Sequence, residues 1–99
     1  MLTSKQRAQL RKAANTLPVT LIVGKDGVTE GVVSELEVLL ESHELVKGKV
    51  LESAFATPRT VAEALCEETG ADSVQWIGTK FVLYRQARAP EKRRIVLEK

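Results

Sequence analysis

Short runs of β-branched and aliphatic residues alternate with stretches of helical period along this chain, and that alternation limits the folds open to it. Val19-Thr20-Leu21-Ile22-Val23, bounded by Pro18 and Gly24, reads as a buried strand. From Thr29 onward Val32, Val33, Leu36, Leu39, Leu40 and His43 fall on one stripe, while Glu30, Glu35, Glu37 and Glu41 lie mostly off it, which predicts an amphipathic helix. Leu45 to Leu51 then changes to a period of two, with Val46, Gly48 and Val50 on one face and Lys47 and Lys49 on the other. Strands joined through a helix are expected to be parallel, with a right-handed crossover.

The remaining segments extend this unit at both ends. Thr3-Ser4-Lys5-Gln6 fits a capping box, and Leu10, Ala13, Ala14 and Leu17 follow at helical spacing, so a first helix is expected from about Ser4 to Asn15. Thr57 is a good N-cap with Pro58 behind it, Val61, Ala62, Leu65 and Cys66 mark a buried side, and Gly70 supplies the stop of a third helix. Val74 to Ile77 and Phe81 to Tyr84 are strand-like runs joined through Gly78-Thr79-Lys80, a hairpin that adds one antiparallel strand. The order is αβαβαββ. It predicts an α/β chain of the α+β two-layer kind, a mixed four-stranded sheet with packed helices. Its 99 residues leave room for one domain, assigned to residues 1–86. Residues 87–99 are charged and contain Pro90, so they read as a mobile basic tail in which Ile95-Val96-Leu97 could add a short strand.

A hydrophobic share of 43% supports a real core, while 4% aromatic residues exclude an extended aromatic stacking platform. No apolar run reaches the roughly 18 residues of a membrane span, and Met1 to Lys5 lack a signal peptide's apolar stretch. The single cysteine, Cys66, agrees with a reducing compartment and reads as a buried thiol. A cytoplasmic monomer is expected. The net charge of +2 is modest but uneven: Lys5, Arg7, Arg11 and Lys12 precede the first acid, Asp26, and Arg85, Arg88, Lys92, Arg93 and Arg94 crowd the C-terminus. If these basic ends meet in space they form a polyanion-binding face, with the acidic helices elsewhere. The alternative is that the charges merely solvate the surface.

Gly24-Lys25-Asp26-Gly27 lies where a strand hands over to a helix, and glycines there let backbone come close to a ligand. The N–H groups of a helix start favour phosphate, and Lys25 adds a flexible charge, although Asp26 opposes one and an ordinary turn has the same letters. The loop lacks the GxxxxGK[ST] spacing of a P-loop, and Gly24, Gly27 and Gly31 miss the GxGxxG of a dinucleotide site. Lys12, Lys47, Lys49 and Arg85 are candidate phosphate partners, though alternating lysines also serve a solvated strand face. His43 is the lone histidine and reads as a helix-end residue, and Trp76, in step with Val74, as a sheet residue. No catalytic constellation, metal site or cofactor site is found.

Leu2-Thr3-Ser4-Lys5-Gln6-Arg7, Gly24-Lys25-Asp26-Gly27-Val28-Thr29, His43-Glu44-Leu45-Val46-Lys47, Thr69-Gly70-Ala71 and Ile77-Gly78 through Val82-Leu83-Tyr84-Arg85 occur in an order that resembles the CRM domain (chloroplast RNA splicing and ribosome maturation), in its stand-alone bacterial, YhbY-like form. The resemblance implies a fold similar to the C-terminal domain of translation initiation factor three, and association with precursors of the large ribosomal subunit. It also implies a GxxG loop on a basic RNA-contacting surface, here Gly24, Lys25, Asp26 and Gly27. Gly48, Val28 and Trp76 depart from the family's usual residues, and Gly48 either weakens its strand or lets a helix approach closely. The function expected is non-catalytic binding of ribosomal RNA, with no membrane or small-molecule partner. The alternative is a protein adaptor docking through its acidic helices or sheet edge.

Overall fold

The computed structural model describes residues 2–99. Each helix starts at a threonine whose hydroxyl takes up an otherwise unpaired N–H. In α1 (Ser4–Ala14) Thr3 accepts from the Gln6 N–H at 3.1 Å, and the Gln6 side chain accepts from the Thr3 N–H at 3.0 Å, completing the capping box. Thr29 caps α2 (Glu30–His43) through Val32, and Thr57 caps α3 (Pro58–Thr69) through Thr60, with Pro58 at the first helical position. Gly70 ends α3 at φ 76°, a left-handed stop that costs glycine little.

The strands are β1 (Leu21–Val23), β2 (Leu45–Val50), β3 (Asp72–Ile77) and β4 (Lys80–Tyr84), in spatial order β1-β2-β4-β3. β1 and β2 are parallel, and β4 runs antiparallel to both its neighbours, so β2 and β3 point the same way with β4 inserted between them. The interior place suits β4, because Phe81, Val82, Leu83 and Tyr84 are all buried and need cover on both faces. The αβαβαββ order and the mixed four-stranded sheet are those expected. Both faces of the sheet are covered, one layer more than the two-layer description. α2 and α3 bury Leu21, Val23, Val46, Val50, Phe81 and Leu83 on one face. α1 buries Leu45, Val74, Val82 and Tyr84 on the other, through Leu10 and Ala14.

Gly48 stands directly opposite Phe81 in the β2–β4 register, and the Phe81 ring lies over it. A Cβ at Gly48 would collide with the Phe81 ring, so the close approach comes from the neighbouring strand's aromatic side chain and not from a helix. A bulge between Ser73 and Gln75 shifts β3 by one residue. Trp76 therefore pairs with Phe81 on the α3 face, where Arg59 lies 5.0 Å from its ring, while Val74 packs on the α1 face. Sequence alternation, which kept the two residues on one face, does not see the bulge.

The C-terminal segment, expected to be a mobile tail, is docked. Ala87 is fully buried. The Glu44 carboxylate, also fully buried, accepts from the N–H groups of Ala87 (2.8 Å), Arg94 (2.7 Å) and Ile95 (2.9 Å). Glu41 accepts from the N–H groups of Arg88 and Ala89. Farther on, the α1 side chains of Gln6 and Gln9 hold Glu98 and Val96 by their backbone, and Ile95 and Leu97 pack against the α1 core. The segment is extended without becoming a strand, because its partners are side chains and not a β-ladder.

Two outcomes follow from this packing. Gly48→Ala forces the Phe81 ring aside and is expected to cost about 2–3 kcal/mol in urea denaturation. Adding Phe81→Leu in the same chain should recover part of that loss, the coupling expected of residues in contact.

Burial by itself raises the Glu44 carboxyl, but the N–H groups of Arg94, Ile95 and Ala87 and the Arg93 charge outweigh it and hold its pKa below the ordinary 4.5. Glu41 is lowered too, by the N–H groups of Ala89 and Arg88. A carboxyl lowered in the folded state contributes its stability in full above its unfolded pKa and loses it as pH falls through the folded value. Stability should therefore decline below about pH 4.5. Glu44→Gln, which turns an amide NH₂ toward backbone donors, is expected to lose about 2 kcal/mol at neutral pH and to show a shallower acid decline by the same denaturation measurement.

Candidate nucleic-acid interface

The sheet separates the basic first helix from the two acid-rich ones. α1, with exposed Lys5, Arg11 and Lys12, lies on one face, and the last residues of the chain run against it through the Gln6 and Gln9 contacts, but Arg88 and the Pro90–Lys92 turn lie against α2, with Arg88 3.8 Å from Glu37, so the two basic ends of the sequence do not meet as one face. The acid-rich α2 and α3 lie on the opposite face. A polyanion approaching the α1 side meets the cations first.

At the C-terminal end of β1 the chain turns through Gly24-Lys25-Asp26-Gly27. The turn is closed by the Gly27 N–H donating to the Gly24 carbonyl at 2.9 Å, and Gly27 takes φ 70°. Lys25 and Asp26 at its tip are exposed, and among the described residues their N–H groups donate to no protein acceptor. The two glycines differ. Gly27 requires its left-handed backbone, whereas a Cβ at Gly24 would stand an ordinary 3.7 Å from Leu51, so nothing in the fold requires glycine there. The start of α2 is a poorer anion seat: Thr29 already occupies the Val32 N–H, and Glu30 and Glu68 line the hollow beside it.

The other sequence candidates divide by occupation. Lys47 donates from Nζ to the carbonyls of Ala14 (3.0 Å) and Leu17 (3.3 Å), so it caps the α1 C-terminus and does not stand free for a phosphate. Arg85 has a side chain only 10% exposed and donates to Glu37 and to the Thr69 carbonyl, both at 2.9 Å. It ties α2 and α3 to the end of β4 and is withdrawn from solvent. Lys12 is exposed in the last turn of α1. Lys49 faces the α1 side of the sheet beyond the helix, directly opposite Lys80 across the β2–β4 pair, and neither has an ion-pair partner among the described residues.

Like charges placed opposite one another destabilise a sheet unless an anion lies between them. Their row across the sheet reads Ile22, Lys49, Lys80, Ile77, with both isoleucines more than two-fifths exposed. Sequence reasoning missed Lys80 because it treated that residue as part of the turn. The signal available was its place immediately before the apolar run that starts at Phe81.

Cys66 is partly buried, and burial, helped by Asp72 and Glu63, pushes its thiol up to about 11, which leaves it protonated at neutral pH. Among the described residues no cluster of three or more His, Cys, Asp or Glu could hold a metal ion, and no helix is long and apolar enough to cross a membrane.

Comparison with known proteins agrees with this architecture. The sequence model of the CRS1 / YhbY (CRM) domain matches residues 2–85. The chain belongs to this family. It is 37% identical over 91 residues to a probable RNA-binding protein of Pseudomonas aeruginosa, covering 92% of this chain and 88% of the relative. Identity is 40% over 84 residues with an RNA-binding protein of Haemophilus influenzae, 85% of either chain. It is 38% over 88 residues with the probable RNA-binding protein YqeI of Bacillus subtilis, 89% of this chain and 92% of that one. The solution structure of a hypothetical protein from Staphylococcus aureus superposes with a TM-score of 0.74 at 30% identity, covering 97% of this chain and all of that one. In this CRM-family chain the GxxG loop joins a short β1 to α2, and β1 pairs with the strand that carries Lys49.

The difference between the two loop glycines is measurable before any ligand is known. Gly27→Ala is expected to lose about 1 kcal/mol from its left-handed backbone. Gly24→Ala should leave stability within about 0.5 kcal/mol of the parent. Thermal or urea denaturation of both variants checks the pair.

Proposed function

We propose that this chain is a non-catalytic RNA-binding protein whose Gly24–Gly27 loop, with Lys25, Lys49, Lys80 and Lys12, contacts the phosphate backbone. The observation that carries it is the separation, by the sheet, of α1 and the Lys49–Lys80 pair from the acid-rich α2 and α3, together with the exposed and unpaired N–H groups of Lys25 and Asp26 at the end of β1. Unpaired backbone donors and flexible lysines suit phosphate, which positions a nucleic acid without reading its sequence. The names of the Pseudomonas, Haemophilus and Bacillus relatives support RNA as the ligand. Within that reading the RNA is ribosomal, in precursors of the large subunit, which is what the family resemblance implies, and the protein acts as a cytoplasmic monomer. Lys47 and Arg85 are left out because the fold already uses their charges.

Binding to structured ribosomal RNA should weaken steeply with salt. About four phosphate contacts on unpaired RNA give a log–log slope of roughly −3. Lys25→Glu should lower affinity about tenfold at low salt and reduce the slope by about 1, while its melting transition stays where it was because the residue is exposed. Fluorescence anisotropy across a salt series measures both quantities. A flat salt response, or unchanged binding by folded Lys25→Glu protein, would overturn the assignment. In lysates the protein should travel with immature large-subunit particles and leave them after a high-salt wash.

A further inference from the structure

Phe55 is the most exposed large apolar side chain among the described residues, at 97%. It follows the 3-10 turn Glu52–Ala54 with its backbone left-handed at φ 51°, held by its N–H donating to the Glu52 carbonyl. A bulky residue is strained in that region, and full exposure recovers none of the cost by burial. The fold thus gains nothing from this side chain in this position.

The surroundings supply a use. Phe55 forms one wall of a groove of about 540 Å³, with Val50, Leu51, Glu52, Pro58 and Thr79 around it. That volume is in the range of small-ligand clefts, about 300–1,000 Å³. Leu51 connects the groove to the glycine loop: its N–H donates to the Val23 carbonyl at 2.9 Å, and its side chain is the neighbour a Cβ at Gly24 would touch. Glu52 places a negative charge in the groove, which disfavours a phosphate there and leaves a flat, uncharged group as the fitting occupant. The cation for the attached phosphate, Lys25, is exposed and follows directly on Gly24, the loop residue beside Leu51.

We infer that Phe55 stacks an unpaired RNA base, which sits in the groove between Phe55 and Leu51 with its phosphate toward Lys25. A base inside a duplex has both faces covered by its neighbours, so this site takes single-stranded or looped RNA and refuses continuous duplex. The inference rests on the RNA-binding reading above and adds to it the class of RNA and a residue outside the glycine loop.

The test compares an unstructured RNA strand of about 12 nucleotides with a blunt duplex of the same length, by fluorescence anisotropy at low salt. Phe55→Ala should weaken binding of the single strand about 5- to 100-fold and change duplex binding less than about twofold. Phe55→Tyr, which keeps the ring, should bind the strand like the parent. Phe55→Gly should melt at higher temperature than the parent, because glycine relieves the left-handed backbone, and still lose the single strand. That result would separate lost stacking from lost folding. If the parent binds neither RNA, the RNA-binding reading itself fails. If the parent binds the strand and Lys25→Glu weakens it while Phe55→Ala does not, the loop assignment stands and the stacking role is overturned. Equal losses for strand and duplex in Phe55→Ala would overturn it as well.

Discussion

The buried carboxylate of Glu44 joins more of this molecule than any other side chain. Its residue ends α2 and leads straight into β2, at a positive φ that only a well-held non-glycine residue sustains. Its carbonyl accepts from the Arg85 N–H at the end of β4, and its carboxylate gathers three N–H groups from the C-terminal segment. Charge-assisted bonds of this kind are the stronger ones, and removal of the acceptor would leave three donors unsatisfied, that of Ala87 fully buried and those of Arg94 and Ile95 partly so. One acid therefore fixes the exit of a helix, the entry of a strand and the course of the last thirteen residues.

That course matters for charge. Once Ile95 and Leu97 are packed beside α1, the arginines of the C-terminus cannot sweep through solvent as a diffuse tail: Arg88 is held 3.8 Å from Glu37 of α2, and Arg93 donates back to the Ala87 carbonyl. Part of the same basic inventory is spent on the fold. Lys47 neutralises the carbonyl end of α1, and Arg85 holds Glu37 and the end of α3 together. Cations in a sequence overcount a binding surface, because those that satisfy helix ends and buried carboxylates are unavailable to a ligand. Among the cations that the fold leaves without an ion-pair partner are Lys12, Lys25, Lys49 and Lys80, and two of these face each other across adjacent strands.

Much of the architecture was legible because it is encoded locally. Thr3 and Gln6, Thr29, Thr57 with Pro58, and Gly70 act on neighbours three or four residues away, so their caps can be read without knowing the fold. The period change at Leu45 and the apolar run of β4 are equally local. The glycine loop could be placed at a strand-to-helix junction for the same reason. Its division of labour could not: the fold needs Gly27 for its φ and has no such need of Gly24, a difference set by the backbone angle each glycine takes in the closed turn. Phe55 lay in a connection with no periodicity, where exposure and backbone region leave no mark in the letters.

By itself the sequence determined the elements, their order, the parallel relation of β1 and β2 and the position of the loop, since each depends on contacts within a turn or on the stiffness of a crossover. Tertiary structure alone decided the insertion of β4 between β2 and β3, the bulge that turns Trp76 away from Val74, and the ring of Phe81 over Gly48. It also decided that Glu44 would capture a segment some forty to fifty residues away. The physical reason is range. A cap or a periodic stripe is satisfied by neighbours along the chain. A buried carboxylate, a glycine beneath an aromatic ring and a lysine facing a lysine acquire their meaning only from groups that folding brings across the sheet.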